Sequence, residues 1–587
     1  MFNKNKQKKR KKAFFGNEDG AAMVIAAFSL VAFLSIVSLV TDMGLKYHQK
    51  SKLQSAMDAA ALAAVRYMPD EATAKSVALD YVEKNGFSSD SVVVEFPSDE
   101  IVRVSDSVEG KTIFASLFKV DSVQINAKAA AKYVNKNMEL GFEYLMFHGD
   151  NSQFTLNGHY NIGGSIFGNG NVHADGSGST VTGTVFSANN ATYNSYSVTV
   201  NHLESNVKSQ EMPDFDETIM AVAPEADEAM FVKAYAPISK SSFYLNRYPA
   251  GHVISSSVSI NGNTYCSGTL STSYHSDVLI IYGDLYVCGD FNPQCPVYVK
   301  GNVYVGGNLT TTWDKSLTVG GDLYVEGTTT FNGNTTINGN FFYTGGDLIR
   351  GSTYSLHCNC ETYAGGNITL NGSTSFNGPV YCMGVFDKQG STQLTVNGNV
   401  YAYDTLKLQS GGTTLNGDIF VWGKNASESD TAADIAGPFT LNGDLYNRKG
   451  KLSLSGQGNY NIKGVLYSGG SLSTNQGSSG ITLSGCMIAE KDISIGGSTH
   501  TYNEAGATLS IYSRKGDITL YSQQGGFDLW GIVYAPEGNV ALASGDFDIH
   551  GSIIGSTISC SPGGLNMTYN DRELPYSKKI KTAILVE

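Results

Sequence analysis

The sequence predicts a mainly β protein, a long right-handed parallel β-solenoid that follows a single N-terminal transmembrane helix and a small α+β module. The 587 residues include 66 glycines and 33 tyrosines, and only 16% are charged, which is typical of a β-rich chain with many turns. One apolar run lies near the N-terminus. From about residue 140, a Gly-Asn or Gly-Asp corner recurs between short alternating segments, which indicates a repeat fold.

The first predicted elements are a basic cytoplasmic tail, residues 1–20, and a transmembrane helix, residues 21–41. Ala21 to Val40 contains no charged residue and is long enough to cross a hydrocarbon core of about 30 Å. Seven Lys or Arg residues lie between Lys4 and Lys12, so the positive-inside bias predicts a cytoplasmic N-terminus and an extracytoplasmic remainder. A cleaved secretory signal is the alternative, and the length of the apolar run disfavours it.

A helix is predicted to continue beyond the membrane segment and to carry an ordered motif. An Asp follows the apolar run directly, and a sequence of the form LQ…DAAALA comes about ten residues later. With the Gly that begins the run, this pattern resembles the N-terminal segment of the TadE/TadG-like Flp pilus-assembly proteins over about residues 20–68. The matching positions are Gly20, Asp42, Leu53, Gln54, Asp58, Ala59, Ala60, Ala61, Leu62 and Ala63.

The resemblance implies a role in Flp/Tad pilus assembly, with other Tad proteins or further copies of the chain as partners. It also implies a prepilin-type processing site between Gly20 and Ala21, although Ile25 stands where processed Flp prepilins carry Glu. Processing and retention of the N-terminus therefore both remain open. TadG-like proteins often carry a metal-binding DxSxS motif. The sequence has no convincing copy of it, so no metal site is carried over.

The alanines of this helix contribute to a narrow stripe of mostly small side chains. The stripe comprises Leu45, Gln49, Leu53, Ala56, Ala60, Ala63 and Tyr67, at near-helical spacing. Small residues allow helices to approach closely, so one interpretation is packing beside identical helices. The other is that the stripe docks on the sheet of its own domain.

The small α+β module is predicted to span residues 42–139. Pro69 ends the first helix, and Asp70 is a suitable N-cap for a second helix, Glu71 to Lys84, with Gly86 as its stop. Strand patterns follow at residues 91–96, 101–108 and 123–127, with a short helix between the last two.

The solenoid is predicted to occupy residues 140–567, with residues 568–587 as its C-terminal cap. Corners such as Asn302, Asp322 and Asn340 recur every 18–20 residues, and segments such as VYV and LYV alternate between them. Gly and Asn tolerate the positive φ that tight corners often require. This corner chemistry resembles the short repeats of bactofilin-like parallel β-helices. Near 209–237 an acidic insertion is predicted to lie over the flank or to connect two solenoid pieces.

The eight cysteines and one neighbouring histidine are the candidates for disulfides or a metal site. All eight cysteines lie beyond residue 260, and they are interpreted either as stapling disulfides or as buried inward-facing thiols. The sequence HCNC, His357 to Cys360, has no second cluster at metal-binding spacing, so no metal or cofactor is predicted.

Two sets of carboxylates are the candidates for catalytic groups. Asp546, Asp548 and His550 alternate along one predicted strand and would share a face. The corner residues Asp284, Asp322 and Asp418 stand where other coils carry Asn, which suits a turn role better than acid–base chemistry. No catalytic residue is therefore assigned.

These observations predict a non-catalytic structural protein, anchored in the cell membrane and exposed at the cell surface, that acts in pilus assembly, anchoring or adhesion. Its expected partners are the lipid bilayer, Tad proteins or copies of itself, and surface carbohydrate bound along the Tyr-rich strands. The net charge of −13 argues against nucleic acid. The alternative is a tethered carbohydrate-active enzyme, either a polysaccharide lyase or a hydrolase, because parallel β-helices also host such activities.

Overall fold

The computed structural model describes residues 18–68, 70–98, 101–112, 119–136, 144–241, 244–255, 258–476, 480–497, 499–502, 509–569 and 580–585. The chain divides into two compact units. One unit comprises residues 1–138 and 576–587, and the other comprises residues 139–575. The second unit is thus inserted into the sequence of the first.

The first unit combines two helices with a four-stranded antiparallel sheet. Its elements are α1 (Glu18–Ala64), a 3₁₀ turn (Val65–Tyr67), α2 (Glu71–Lys84), β1 (Val93–Ser98), β2 (Ile101–Lys111), β3 (Ser122–Lys136) and a C-terminal strand (Ile580–Leu585). As predicted, Asp70 caps α2, since its side chain accepts the Thr73 N–H at 3.2 Å, and Gly86 follows the helix with a φ of +83°. The short helix expected before residue 123 falls largely on 113–118, outside the described residues.

The prediction that residues 568–587 cap the solenoid needs correction at its C-terminal end. Ile580–Leu585 pairs antiparallel with β3, with Ala131 opposite Leu585 and Lys136 opposite Ile580. The small sheet therefore has the order β1, β2, β3, C-terminal strand. An alternating apolar strand satisfies its backbone wherever an edge is free, and the sequence alone does not specify which edge.

The transmembrane helix predicted for residues 21–41 falls within α1. Within the part of the chain that the structure describes, no helix combines the length and the hydrophobicity needed to cross a membrane, so this element stays a prediction.

The second unit is a parallel β-solenoid with three short strands in each coil. Between Asn246 and Gly497, each strand pairs in parallel with the third strand after it, which defines three faces. Val303 pairs with Leu285, 18 residues earlier, and with Leu323, 20 residues later, which confirms the predicted repeat length. Inward residues such as Val303 and Val305 are fully buried in one continuous core along the stack.

Face 1 contains the strands Asn246–Tyr248, Thr264–Cys266, Leu285–Val287, Val303–Val305, Leu323–Val325, Phe341–Thr344, Glu361–Ala364, Val380–Cys382, Val400–Ala402, Ile419–Val421, Leu445–Asn447, Leu466–Ser468, Met487–Ala489 and Leu509–Ser513. Face 2 contains His252–Ile254, Leu270–Thr272, Phe291–Asn292, Leu309–Thr310, Thr329–Phe331, Leu348–Arg350, Ile368–Leu370, Phe386–Lys388, Leu406–Leu408, Thr431–Ala436, Lys451–Gly456, Leu472–Gln476 and Ile493–Gly497. Face 3 contains Ser259–Asn261, Leu279–Tyr282, Val297–Val299, Leu317–Val319, Thr335–Ile337, Leu356–Cys358, Thr374–Phe376, Leu394–Val396, Thr413–Leu415, Phe439–Leu441, Tyr460–Ile462, Gly480–Leu483 and Thr499–Tyr502.

The last coils are formed by one long extended segment and by strands from the start of the unit. The extended segment is Ile518–Cys560, and Gly564–Thr568 follows it. The early strands are Met146–His148, Phe154–Leu156, Tyr160–Ile162, Ile166–Gly168, Val172–Ala174, Ser179–Ser187, Ala191–Tyr193 and Val198–Ser205. Met146 pairs with Ile553, and Tyr160 with Leu565, so the early strands stack on the C-terminal coils. The order of the coils in the stack therefore differs from their order in the chain.

Side-chain hydrogen bonds connect the corners of successive coils. Asp284 Oδ1 accepts the N–H of Asn302, and Asn302 Oδ1 accepts the N–H of Asp322, both at 2.8 Å. The neighbouring Gly321 is needed because a Cβ there would lie 2.2 Å from Asn302 Oδ1. Gly321 does not have a positive φ, so the reason for glycine given from the sequence is wrong at this corner. Close approach of the preceding coil is the actual reason.

Candidate functional sites: motif helix, strapped tyrosine ladder and acidic groove

The family-like motif lies on the half of α1 that packs against the small sheet. Leu53, Ala60 and Ala61 are fully buried in the core formed with α2, β2 and β3. Gln54 Nε2 donates to Asp58 Oδ1 and to the Lys128 carbonyl oxygen, both at 2.8 Å. The half-buried motif positions are Gln54, Asp58, Ala59, Leu62 and Ala63. The motif therefore fixes the helix on its own sheet.

Of the two interpretations of the small-residue stripe, the structure shows docking on the sheet of its own domain. The buried face comprises Leu53, Ala56, Met57, Ala60, Ala61 and Ala64, whereas Leu45 and Tyr67, at the ends of the proposed stripe, are 41% and 49% exposed. The buried face is therefore rotated from the proposed one, and it contacts the chain's own module.

The other motif positions lie nearer the start of α1. Gly20 and Ala21 lie in its first turn. Asp42 is buried, with 6% of its surface exposed, although Met43 beside it is 67% exposed. One turn later the Lys46 ammonium donates to the Lys111 carbonyl oxygen at the end of β2. The contact between helix and sheet thus begins close to Asp42.

A row of aromatic side chains, called here the tyrosine ladder, runs along the outer side of face 1. Its members occupy equivalent positions along the coils, with Ile488 taking the position between Tyr467 and Tyr512. Most neighbouring rings stack, as with Tyr286 and Tyr304, whose centroids are 4.1 Å apart. The ladder comprises Tyr265, Tyr286, Tyr304, Tyr324, Tyr343, Tyr363, Tyr381, Tyr401, Phe420, Tyr446, Tyr467, Tyr512 and Tyr534.

Residues 206–241 and 244–245, called here the strap, lie over this ladder. They include the predicted acidic insertion near 209–237, and they contain a short helix (Asp216–Met220) and a 3₁₀ turn (Glu228–Phe231). Phe215 contacts Tyr534 at one end, and Tyr244 contacts Tyr265 at the other. The strap therefore runs from the C-terminal coils back to the first coil, as the crossed stacking order requires.

Apolar and polar contacts attach the strap to the ladder. Phe231 is 1% exposed and packs against Tyr401, Tyr403 and Trp422, with centroid distances of 5.5–5.9 Å. Tyr403 also donates its hydroxyl hydrogen to Glu228.

A second set of contacts attaches the strap to the solenoid on both sides of Phe231. Asp216 Oδ2 accepts from Arg514 at 3.0 Å, and Asp216 Oδ1 accepts from Tyr512 at 2.5 Å. Tyr235 donates to Glu361, and burial together with this carboxylate raises the pKa of the Tyr235 hydroxyl. The strap therefore covers much of the tyrosine face that the sequence interpretation offered to carbohydrate.

The predicted trio Asp546, Asp548 and His550 lies on the outer side of the Ile518–Cys560 segment, in the alternation expected. His550 Nε2 is 3.6 Å from Asp548 Oδ1, and the imidazole ring stacks on Trp530 with centroids 3.8 Å apart. Thr568 Oγ1 lies 2.7 Å from His550 Nδ1.

The carboxylates of this trio border a groove of about 680 Å³ that also includes Asn161 and Asn566. Asn566 Nδ2 donates to Asp548 Oδ1 at 3.0 Å, and Asn161 Nδ2 donates to Asn566 Oδ1 at 3.4 Å. Asp548 is thus part of a hydrogen-bonded ladder across three coils. The groove offers carboxylate and amide groups to a polar ligand.

The remaining residues proposed from the sequence have structural contacts. Among the side-chain hydrogen bonds that connect the corners of successive coils, Asp322 Oδ1 accepts the N–H of Asn340 at 2.6 Å. Asp418 Oδ1 likewise accepts the N–H of Asp444 at 2.9 Å. These contacts support the turn role of the corner carboxylates.

All eight cysteines are free thiols, so the disulfide interpretation is wrong. Cys288 is exposed, and the others are buried: Cys266, Cys295, Cys358, Cys360, Cys382, Cys486 and Cys560. Burial raises the pKa of the Cys360 and Cys382 thiols to about 12. In HCNC, His357 is exposed while Cys358 and Cys360 are buried, so the imidazole and the thiols lie on opposite sides of the strand. Among the described residues, no group of three His, Cys, Asp or Glu side chains is arranged to hold a metal ion.

The strap and its partners were not identified from the sequence as a functional element. Two signals were available: a Tyr in the middle of strand after strand, and the aromatic residues Phe215, Phe231 and Tyr235 within an otherwise acidic insertion. Aromatic side chains in a segment without its own core indicate that it covers another surface.

Comparison with known proteins identifies one segment. Residues 20–66 match the family described as "Putative Flp pilus-assembly TadE/G-like". The matched segment contains the motif positions from Asp42 to Ala63 and ends within the 3₁₀ turn after α1. The comparisons with curated proteins and with solved structures gave no match.

Proposed function

We propose that the chain is a membrane-anchored, non-catalytic structural protein that acts in Flp/Tad pilus assembly and displays its solenoid at the cell surface. The observation that carries the proposal is the match of residues 20–66 to a TadE/G-like family. This segment contains both the apolar run and the half of α1 that packs in the core of the small module, so the matched residues connect an anchor to a folded head.

The course of α1 supports membrane anchoring. Its first part exposes large apolar side chains. These are Val24, Ile25, Phe28, Leu30, Phe33, Val37 and Val40, with exposures of 43–73%. A bilayer would cover them, and the basic residues before them favour a cytoplasmic N-terminus. Other Tad proteins or copies of the chain are the proposed partners, and nucleic acid is not among them.

Pilus assembly is tested by complementing cells that lack the chain. We expect few or no Flp-type pili in sheared material, and recovery with the intact chain. A variant carrying both Phe28→Lys and Phe33→Lys should fail to restore pili and should leave the membrane fraction, because each charge at the bilayer centre costs about 3 kcal/mol. Tyr47→Lys, outside the apolar run and 79% exposed, is the matched control. Normal pilus yield without the chain would refute the assembly role.

Processing between Gly20 and Ala21 is decided by the mass of the mature N-terminus. Sheared protein that begins at Ala21 would make the chain a pilus subunit or tip protein. Protein that retains Met1 and stays in the membrane would make it a permanent anchor or assembly factor.

The groove beside Asp548 provides the second candidate, a tethered polysaccharide lyase or hydrolase. Such an enzyme would use two of these carboxylates as acid and as base or nucleophile, whereas in the structure the hydrogen bond from Asn566 makes Asp548 part of the ladder between coils. Turnover of an acidic or neutral polysaccharide that Asp548→Ala abolishes, and that the control Asp90→Ala, at an exposed position of the small module, does not, would establish the enzyme and refute the non-catalytic proposal.

A further inference from the structure

Three aromatic side chains project from one corner of the solenoid, away from the strap. Tyr274 and Trp313 are each 63% exposed, and Tyr354 is 36% exposed. They lie in the loops 273–278, 311–316 and 351–355, which connect face 2 to face 3. We call these three side chains the aromatic row.

The coil register places these loops in line at regular intervals. The face 2 strand Leu270–Thr272 pairs with Phe291–Asn292, which pairs with Leu309–Thr310, so the loops of Tyr274 and Trp313 are two coils apart. Two further coils separate Trp313 from Tyr354. At about 4.8 Å per coil, neighbouring aromatic loops are about 9.6 Å apart along the solenoid axis.

The loops that connect face 2 to face 3 alternate between longer and shorter from one coil to the next. The aromatic loops contain six, six and five residues, whereas the intervening corners, 293–296 and 332–334, contain four and three. The aromatic loops therefore extend beyond the shorter corners between them. This alternation leaves space between neighbouring rings along the row.

A buried lysine side chain links two of these loops. Lys315 is 7% exposed, and its ammonium lies 3.2 Å from Asp314 Oδ2 and 4.3 Å from the ring centroid of Tyr274. This contact links the Tyr274 loop to the Trp313 loop.

The third loop is held by an arginine. Arg350 is fully buried, and its Nε donates to the Tyr354 carbonyl oxygen at 2.8 Å. Its Nη1 donates to the carbonyl oxygens of Phe331 and Gly333, at 2.6 and 3.0 Å. The loops that carry the aromatic row are thus held before any ligand arrives, which lowers the entropic cost of binding.

From this geometry we propose that the aromatic row binds a linear, neutral polysaccharide that runs along the solenoid axis. Flat aromatic faces pack on the apolar C–H faces of pyranose rings, and two pyranose units of an extended chain span about the distance between neighbouring loops. Asp277 and Asp314 are 60% and 47% exposed beside the row. They accept hydrogen bonds from sugar hydroxyls and repel an anionic glycan. The proposal deepens the surface-display role and rests on it.

The test is binding of the purified full-length chain, in detergent, to cellulose and to chitin particles, with polygalacturonate gel as the anionic comparison. We expect retention on one or both neutral polymers and none on polygalacturonate. Trp313→Ala should weaken binding by up to about tenfold, because one stacked ring contributes about 0.5–1.5 kcal/mol. Adding Tyr274→Ala should weaken it further. Tyr196→Ala removes a fully exposed tyrosine outside the row and should leave binding unchanged.

Three outcomes would overturn the proposal: no retention of the wild-type chain on either neutral polymer, retention that Trp313→Ala leaves unchanged, or preference for polygalacturonate. Binding only to phosphatidylcholine–phosphatidylglycerol vesicles, lost with Trp313→Ala, would assign the row to a lipid surface instead. This assay is independent of pilus yield in cells. Its failure would therefore leave the assembly role standing, and failure of assembly would leave polysaccharide binding intact.

Discussion

The attachment of the strap to the tyrosine ladder depends on Phe231, and its removal gives a quantitative prediction. The ring is 1% exposed and contacts three aromatic side chains of the solenoid, among them Trp422 at 5.5 Å. Truncation of such a ring to Ala costs about 3–5 kcal/mol in a protein core. Since each 1.4 kcal/mol is a factor of ten, the local opening equilibrium of the strap should rise by about a hundredfold to a few thousandfold.

The assay is hydrogen exchange followed by mass spectrometry on wild-type and Phe231→Ala chains. Exchange should accelerate in peptides from residues 224–241, and it should stay slow in face 1 strands such as Val400–Ala402, whose amides pair with neighbouring coils. Val232→Ala, at a position 57% exposed, is the matched control and should resemble wild type. Unchanged protection of the strap in Phe231→Ala would refute this account of its attachment.

Three further perturbations test other parts of the fold. Burial lowers the pKa of His148 against the opposing effect of Asp150, so the folded chain binds fewer protons than the unfolded one. Stability should therefore be complete above about pH 6.5 and fall as the pH drops below it. Gly321→Ala should destabilise the solenoid by about 1–3 kcal/mol, because its Cβ would overlap the neighbouring corner. Ala60→Leu should destabilise the small module by a similar amount, about 1–3 kcal/mol, since Ala60 is fully buried.

The controls for these perturbations use chemically matched sites. The pH dependence of stability is measured by thermal unfolding of wild-type and His148→Asn chains between pH 4 and 8. If the stability of His148→Asn falls with pH as steeply as that of wild type, a group other than His148 is responsible. Gly526→Ala should be tolerated, because its Cβ would meet atoms no closer than 3.4 Å. Ala63→Leu, at the half-buried flank of α1, should cost less than Ala60→Leu, and equal costs would contradict the docking described.

Local and periodic signals in the sequence predicted much of the fold. The Asp70 cap and Gly86 stop of α2 follow from neighbouring residues, and the coil repeat follows from recurrent corners such as Asn302 and Asp322. These features depend on contacts within a few residues or between identical coils. A chain that repeats the same local chemistry specifies them many times.

Features that depend on a choice between distant partners were not predicted. The strand Ile580–Leu585 satisfies its backbone on β3 as well as it would on a solenoid edge, and its sequence does not distinguish the two. The stacking of Met146–His148 on Ile553 is likewise a pairing between segments about 400 residues apart. For the candidate sites, the alternation of Asp546, Asp548 and His550 was predicted. The acidic insertion was predicted to lie over the flank or to connect two solenoid pieces, and the strap does both. That the surface beneath it is the tyrosine ladder was not predicted, because it follows from that crossed stacking.

The most direct test of the central claim is labelling of Cys288 on intact cells with a membrane-impermeant maleimide. Cys288 is the exposed thiol of the solenoid, and the other seven cysteines are buried. An extracytoplasmic solenoid held by an N-terminal anchor predicts labelled protein in the membrane fraction of intact cells, and loss of the label with Cys288→Ser. Labelling that appears only after the cells are lysed would place the solenoid inside and contradict the account.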